Sequence, residues 1–256
     1  MPTPTATILA QLKAYKPAPI VYEYSWGSYR FGRPTVGTNN QRLFAPGRKA
    51  HTTATDAAEL ANVVRRAVDG DRLLIFDEEA VGPVGDPARR NFTDDEWHDV
   101  LGRVRAMAGG PHARIAIWNH PGNEFFNTIQ RGKGHPAYDA WRKWLADYAK
   151  HPLAQRADVI LPGMGWEKHC PDLARWREKK NQTWPIFEDL AAQTRQELIP
   201  CLHACPATDG GPFPTYAEMR HMLDAFGGQP VAVWIPAVDE QFTPALRAIR
   251  DHERGK

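Results

Sequence analysis

Short apolar runs recur along this chain, and segments with helical periodicity separate them. The clearest runs are "PIVYEYS" at 19–25, "RLLIF" at 72–76, "RIAIWNH" at 114–120, "ADVILPGMG" at 157–165, "ELIPCLH" at 197–203 and "PVAVWIP" at 230–236. Runs of this length and composition suit strands buried on both faces. Between them, Ala57, Leu60, Ala61, Val64 and Val68 mark one helical face, and Trp97, Val100, Leu101, Val104 and Met107 mark another. Tyr138, Trp141, Leu145 and Tyr148 form a third stripe, and Met219, Met222, Leu223 and Phe226 a fourth, closed by Gly227-Gly228. Helices are also expected over 171–180, over 186–196 and at the closing "TPALRAIRDH". Asp56-x-x-Glu59 and Thr93-x-x-Glu96 have the spacing of capping boxes, and Phe92 with Trp97 that of a hydrophobic staple.

Strands that alternate with helices pair in parallel through helical crossovers. Residues 27–52 and "TWPIF" at 183–187 are candidates for one or two further strands. The expected fold is therefore α/β: a single (β/α)8-type TIM barrel over residues 1–256, irregular or short of one strand. An open doubly wound sheet is the alternative. No Gly-rich phosphate fingerprint follows any of the strands, which disfavours a dinucleotide fold.

Charge excludes some classes. There are 32 basic and 30 acidic residues, a balance unlike the basic footprint of a nucleic-acid binder. The longest apolar runs fall far short of a membrane span. Cys170, Cys201 and Cys205 are odd in number and lack zinc-like spacing, so neither a disulfide framework nor a cysteine metal site is expected. With no signal peptide apparent at the start of the sequence, a reducing, cytoplasmic setting is expected, with no cofactor and no membrane partner. Nothing in the sequence fixes an oligomeric state.

In parallel barrels the active site lies at the C-terminal ends of the strands. Those ends hold Glu23 and Trp26; Asp77, Glu78 and Glu79; Asn119, His120 and Glu124; Met164 and Trp166; His203 and Cys205; and Trp234. Carboxylates supply protons and stabilise cationic charge, and flat rings cover the apolar faces of sugars. The chain carries nine Trp, enough for both core anchors and such platforms. A carbohydrate is the expected partner.

The acid run sharpens this expectation. Side chains alternate along a strand, so Ile75, Asp77 and Glu79 share one face and Glu78 takes the other. Two neighbouring carboxyls cannot both ionise cheaply, so one holds its proton towards neutral pH and can donate it to a leaving oxygen. The plainer reading is a polar strand end whose acids cap a turn or pair with Arg89 or Arg90.

An Asp-x-Glu pair closing an apolar strand resembles the signature of hyaluronidase-like and chitinase-like glycoside hydrolase barrels. The layout of residues 72–250 is also similar: "ADVILPGMG", "CPDLARWREKKNQ", "LIPCLHACPATDGG" and "VAVWIP" resemble successive strands and helices of that fold. The resemblance implies that Glu79 is the general acid, that Asp77 assists by orienting an N-acetyl group, and that Trp234 lines the pocket. Leu73 and Leu74 stand where the longer chitinase signature has further Asp, and Met164 stands near a position where Tyr is expected. A two-carboxylate mechanism therefore stays open, with Glu23 or Glu124 as the second group. Glu23, Trp26, Asn119, His120, Glu124, Trp166, His203 and Trp234 are the candidate substrate-binding residues. Two other functions remain: a barrel that binds carbohydrate without cleaving it, and a metal-dependent hydrolase using His120, His169 and His203, although no metal-binding motif surrounds them.

Overall fold

The computed structural model describes residues 21–25, 33–34, 36–39, 73–77, 101–102, 105–106, 114–117, 133–164, 172–203, 213–235 and 243–255. Its strands are β1 (Val21–Ser25), β2 (Arg33–Pro34), β3 (Val36–Asn39), β4 (Leu74–Asp77), β5 (Ile115–Ile117), β6 (Val159–Ile160), β7 (Glu197–Leu198), β8 (Cys201–His203) and β9 (Val231–Ile235). Among the described residues the helices are α1 (Pro136–Asp147), α2 (Pro152–Arg156), α3 (Leu173–Thr194), α4 (Tyr216–Asp224) and α5 (Thr243–Glu253), and residues 101–102 and 105–106 are also helical. The fold is α/β with parallel strands: every strand pairing among the described residues is parallel.

The pairings form two sheets, in the orders β2-β1-β9-β8 and β3-β4-β5-β6-β7. The sheets meet in sequence at both ends. Position 35 alone separates β2 from β3, and Ile199 and Pro200 separate β7 from β8. Across the second gap the backbone ladder does not stop. The N–H groups of Glu197, Ile199 and Cys201 donate to the carbonyls of Asp158, Ile160 and Pro162 at 2.9, 3.0 and 2.9 Å. Pro200 has no N–H to give, but its carbonyl accepts from Ala232 at 2.9 Å. Residues 27–52, expected to add a strand, supply β2 and β3.

Strand parity divides the apolar residues into two clusters. Leu73, Ile75, Ala116, Val159, Leu161, Ile199, Cys201 and Ala232 pack on one another, and among the described residues no helical side chain joins them. Their sequence neighbours Leu74, Ile115, Ile160, Leu202, Val231 and Val233 join a second cluster with helical residues that include Trp141, Leu145, Trp176, Phe187, Met222 and Ile249. Each fully buried Val, Leu or Ile contributes about 1.5–3 kcal/mol.

Helix α3 corrects two expectations. Residues 173–194 form one helix, not two, and "TWPIF" lies inside it and is not a strand. Trp176, Thr183, Trp184, Phe187 and Leu190 are buried along one face, the period of a helix. Pro185 interrupts the helical hydrogen bonding, and both it and Asn181, whose carbonyl loses its partner, are exposed residues. Asp172 caps the N-terminus by accepting from the Arg175 N–H at 2.8 Å. Helix α4 starts with a full capping box between Thr215 and Glu218.

Candidate functional site at the strand C-termini

Because the strands are parallel, each sheet presents all its C-terminal ends along one edge. His203 ends β8 and is the register partner of Trp234 in β9. Their rings meet at 5.2 Å between centroids, tilted by 63°. Two residues earlier, Cys201 and Ala232 are also register partners, and both belong to the strand-only cluster; Trp234 packs against this cluster and against the helix-facing one. The pair therefore stands on the strand-only face, at its C-terminal edge.

His203 is 4% exposed. Burial lowers its pKa from 6.5 to about 4, so the ring is neutral at pH 7. A neutral imidazole offers one donor and one acceptor. Trp234, partly exposed, adds an aromatic surface beside it. The partly exposed indole suits a ligand with an apolar face, and the buried, neutral imidazole beside it brings no positive charge.

Asp77 is the last residue of β4 and pairs in register with Asn39 of β3. Its position follows Leu73 and Ile75 in strand parity, and both of those belong to the strand-only cluster. Leu73 and Leu74, which stand where a longer acidic motif would have Asp, are fully buried at 1% and 0% exposure. Glu23 pairs in register with Val233, a member of the helix-facing cluster, while its neighbours Tyr22 and Tyr24 pair with Ala232 and Trp234. Glu79, Trp26, Asn119, His120, Glu124 and Trp166 lie outside the described residues, as do Glu78, His169 and Cys205. Met164 is buried, and its carbonyl accepts from Trp176 Nε1 at 2.7 Å, tying the end of that strand segment to α3.

Register adds two positions that the sequence reading passed over. Tyr24 is opposite Trp234, and Asn39 is opposite Asp77. The signal for Tyr24 was the same alternation that singles out Asp77. Asn39 lay in a Gly-containing polar segment with no strand pattern to count from.

Charges close the opposite, N-terminal edge. Arg114 pairs with Glu197, and Asp158 pairs with Arg105 while accepting the Ile115 N–H at 2.7 Å. These groups are about a third exposed, so each pair contributes about 1 kcal/mol at most. Among the described residues, no three His, Cys, Asp or Glu side chains gather as a metal site. No described helix is long and apolar enough to cross a membrane.

No protein-family model matches the chain, and a comparison with curated proteins finds no match. Solved structures do resemble it. Bee venom hyaluronidase is similar at a TM-score of 0.46 and 14% identity, over 92% of this chain and 68% of that one. The endo-β-1,4-mannanase from Thermotoga petrophila is similar at 0.44 and 11%, over 85% of this chain and 52% of that one. Endonuclease IV from Thermus thermophilus is similar at 0.36 and 12%, over 93% and 99%. Likeness at this level carries no chemistry across, because function lives in the site and not in the fold.

Proposed function

We propose that this chain is a glycoside hydrolase built on a closed barrel of seven parallel strands, with Glu79 as general acid and Asp77 beside it. The nine strands become seven when β2 with β3, and β7 with β8, each count as one interrupted strand. The pairings then run from β1 round to β9, which pairs back to β1 over five residues. In this reading the strand-only cluster is the barrel interior, filled by side chains as such barrels require.

The observation that carries the reading is the register of β4. Asp77 follows Leu73 and Ile75 of the interior cluster at the C-terminal edge, where His203 and Trp234 also stand. Glu79 follows Asp77 by two residues, the spacing that groups it with Asp77 in the sequence pattern. Asp77, ionised, holds a negative charge beside Glu79 and keeps its proton in place. Glu79 then protonates the leaving glycosidic oxygen as its bond to the anomeric carbon breaks, Asp77 stabilises the cationic sugar, and water adds at that carbon and gives up its proton to the second carboxylate. Trp234 and Trp166 receive the flat face of the sugar. Asn119, His120 and Trp26 contact its hydroxyl groups, and the buried His203 ring backs Trp234. The register of Glu23 with Val233 favours Glu124 for the second carboxylate.

Assays against a panel of neutral, acidic and N-acetylated glycans test the reading. Glu79→Gln is expected to lower kcat/KM by about 10²-fold or more on the glycan that is cleaved, and Asp77→Asn to lower kcat with little change in KM. Intact turnover by both variants would overturn it. The buried Leu73 and Leu74, in place of further acids, favour one alternative: a barrel that binds glycans without cleaving them. That alternative predicts binding that weakens in Trp234→Ala, with no product formed by the native chain.

A further inference from the structure

Helices α3 and α4 bring two cations and an imidazole together on the helix layer. Arg177 Nε lies 2.6 Å from His221 Nε2, and Arg177 Nη2 lies 3.1 Å from His221 Nδ1. A neutral imidazole has only one acceptor nitrogen. One of these contacts is a hydrogen bond, and the other sets a guanidinium donor against a ring N–H. Lys180, three residues along the same helix, adds the second cation, with its Nζ 5.3 Å from the Phe226 ring centroid. The floor below is aromatic: Trp176 meets His221 edge-on at 6.4 Å and Phe226 at 6.1 Å. Burial lowers the His221 pKa, as do the charges of Arg177 and Lys180, while Asp224 opposes them.

The neighbouring acids Glu178 and Asp224 are already engaged. Glu178 pairs with Arg175, and Asp224 pairs with Arg220 of its own helix and with His252 of α5. Neither Arg177 nor Lys180 pairs with a carboxylate among the described residues. Two cations beside one imidazole, with a donor facing a donor, repel one another. An anion with several oxygens relieves that repulsion: the guanidinium fork takes two oxygens, and the ammonium and a protonated imidazole take the others.

We infer that Arg177, Lys180 and His221 form a binding site for a tetrahedral oxyanion, sulfate or phosphate, free or carried on a polymer. The site is on the helix layer and is independent of the reaction proposed at the strand ends.

The experiment follows the His221 ring by NMR through a pH titration of the full chain. Sodium sulfate, sodium phosphate and sodium chloride are compared at matched ionic strength. Sulfate and phosphate are expected to raise the His221 pKa to a saturating limit, since a bound anion favours the imidazolium. Arg177→Gln and Lys180→Gln are each expected to weaken sulfate binding about tenfold. Lys143→Gln, on the exposed face of α1, leaves it unchanged. A chloride effect equal to that of sulfate, or unchanged sulfate affinity in Arg177→Gln, overturns the site. Sulfated and unsulfated forms of one polysaccharide separate the sources. Displacement of sulfate by the sulfated form alone identifies a polymer-borne group, and inorganic binding without displacement identifies the free ion.

Discussion

His203 links burial to pH at the scale of a single residue. Its folded-state pKa, about 4, lies below the ordinary 6.5, so the unfolded chain takes the proton first as the pH falls. Stability that depends on the neutral ring is fully present above about 6.5 and is lost as the pH falls to about 4. The whole effect is on the order of 3 kcal/mol. Urea unfolding across that window is expected to show a shallower pH dependence in His203→Gln than in the native chain. Parallel curves would mean that the ring titrates normally. His203 was legible as a strand-end residue, because strand ends follow from local pattern. Its neutrality was not, because desolvation depends on Trp234 and on residues far away in sequence.

At the scale of the element, most of the described strands and helices were legible, since hydrophobic period is a local property; the helix expected over 57–68, the capping boxes at Asp56 and Thr93 and the staple of Phe92 with Trp97 lie outside the described residues. Helix α3 was not. The proline at 185 reads as a boundary, and only the burial of Trp184, Phe187 and Leu190 on one face carries the helix through it. The proline gives up a hydrogen bond and packs little, being exposed. Pro185→Ala is therefore expected to stabilise the chain by about 1–3 kcal/mol, seen as a higher urea midpoint with an unchanged slope. A lower midpoint would mean that the proline holds a bend the fold needs. The same helix ends at Arg195 with φ of 60°, a left-handed conformation that favours glycine. Arg195→Gly is expected to raise stability by about 1 kcal/mol. The capping box Thr215-x-x-Glu218 had the spacing that marks Thr93-x-x-Glu96, so the start of α4 was also there to be read.

At the scale of the whole molecule, the parallel α/β fold was legible and the number of strands was not. β2 and β3 contain Pro34 and Gly37, residues that lower strand propensity, and pairing with β1 on one side and β4 on the other holds them extended. That pairing depends on the complete arrangement, which no local window contains. The candidate site was half legible for the same reason. Alternation within one strand groups Asp77 with Ile75, but Asn39, Tyr24 and Trp234 come to their register positions only through neighbouring strands.

The central claim is that Glu79 protonates a leaving oxygen at this edge. The most direct test compares two substrates of the same sugar in the Glu79→Gln variant. One carries an ordinary sugar or alkyl leaving group. The other carries an activated aryl group that departs without a proton. The account predicts that kcat/KM falls about 10²-fold or more on the first and much less on the second. Equal losses on both substrates, or none on either, would contradict it.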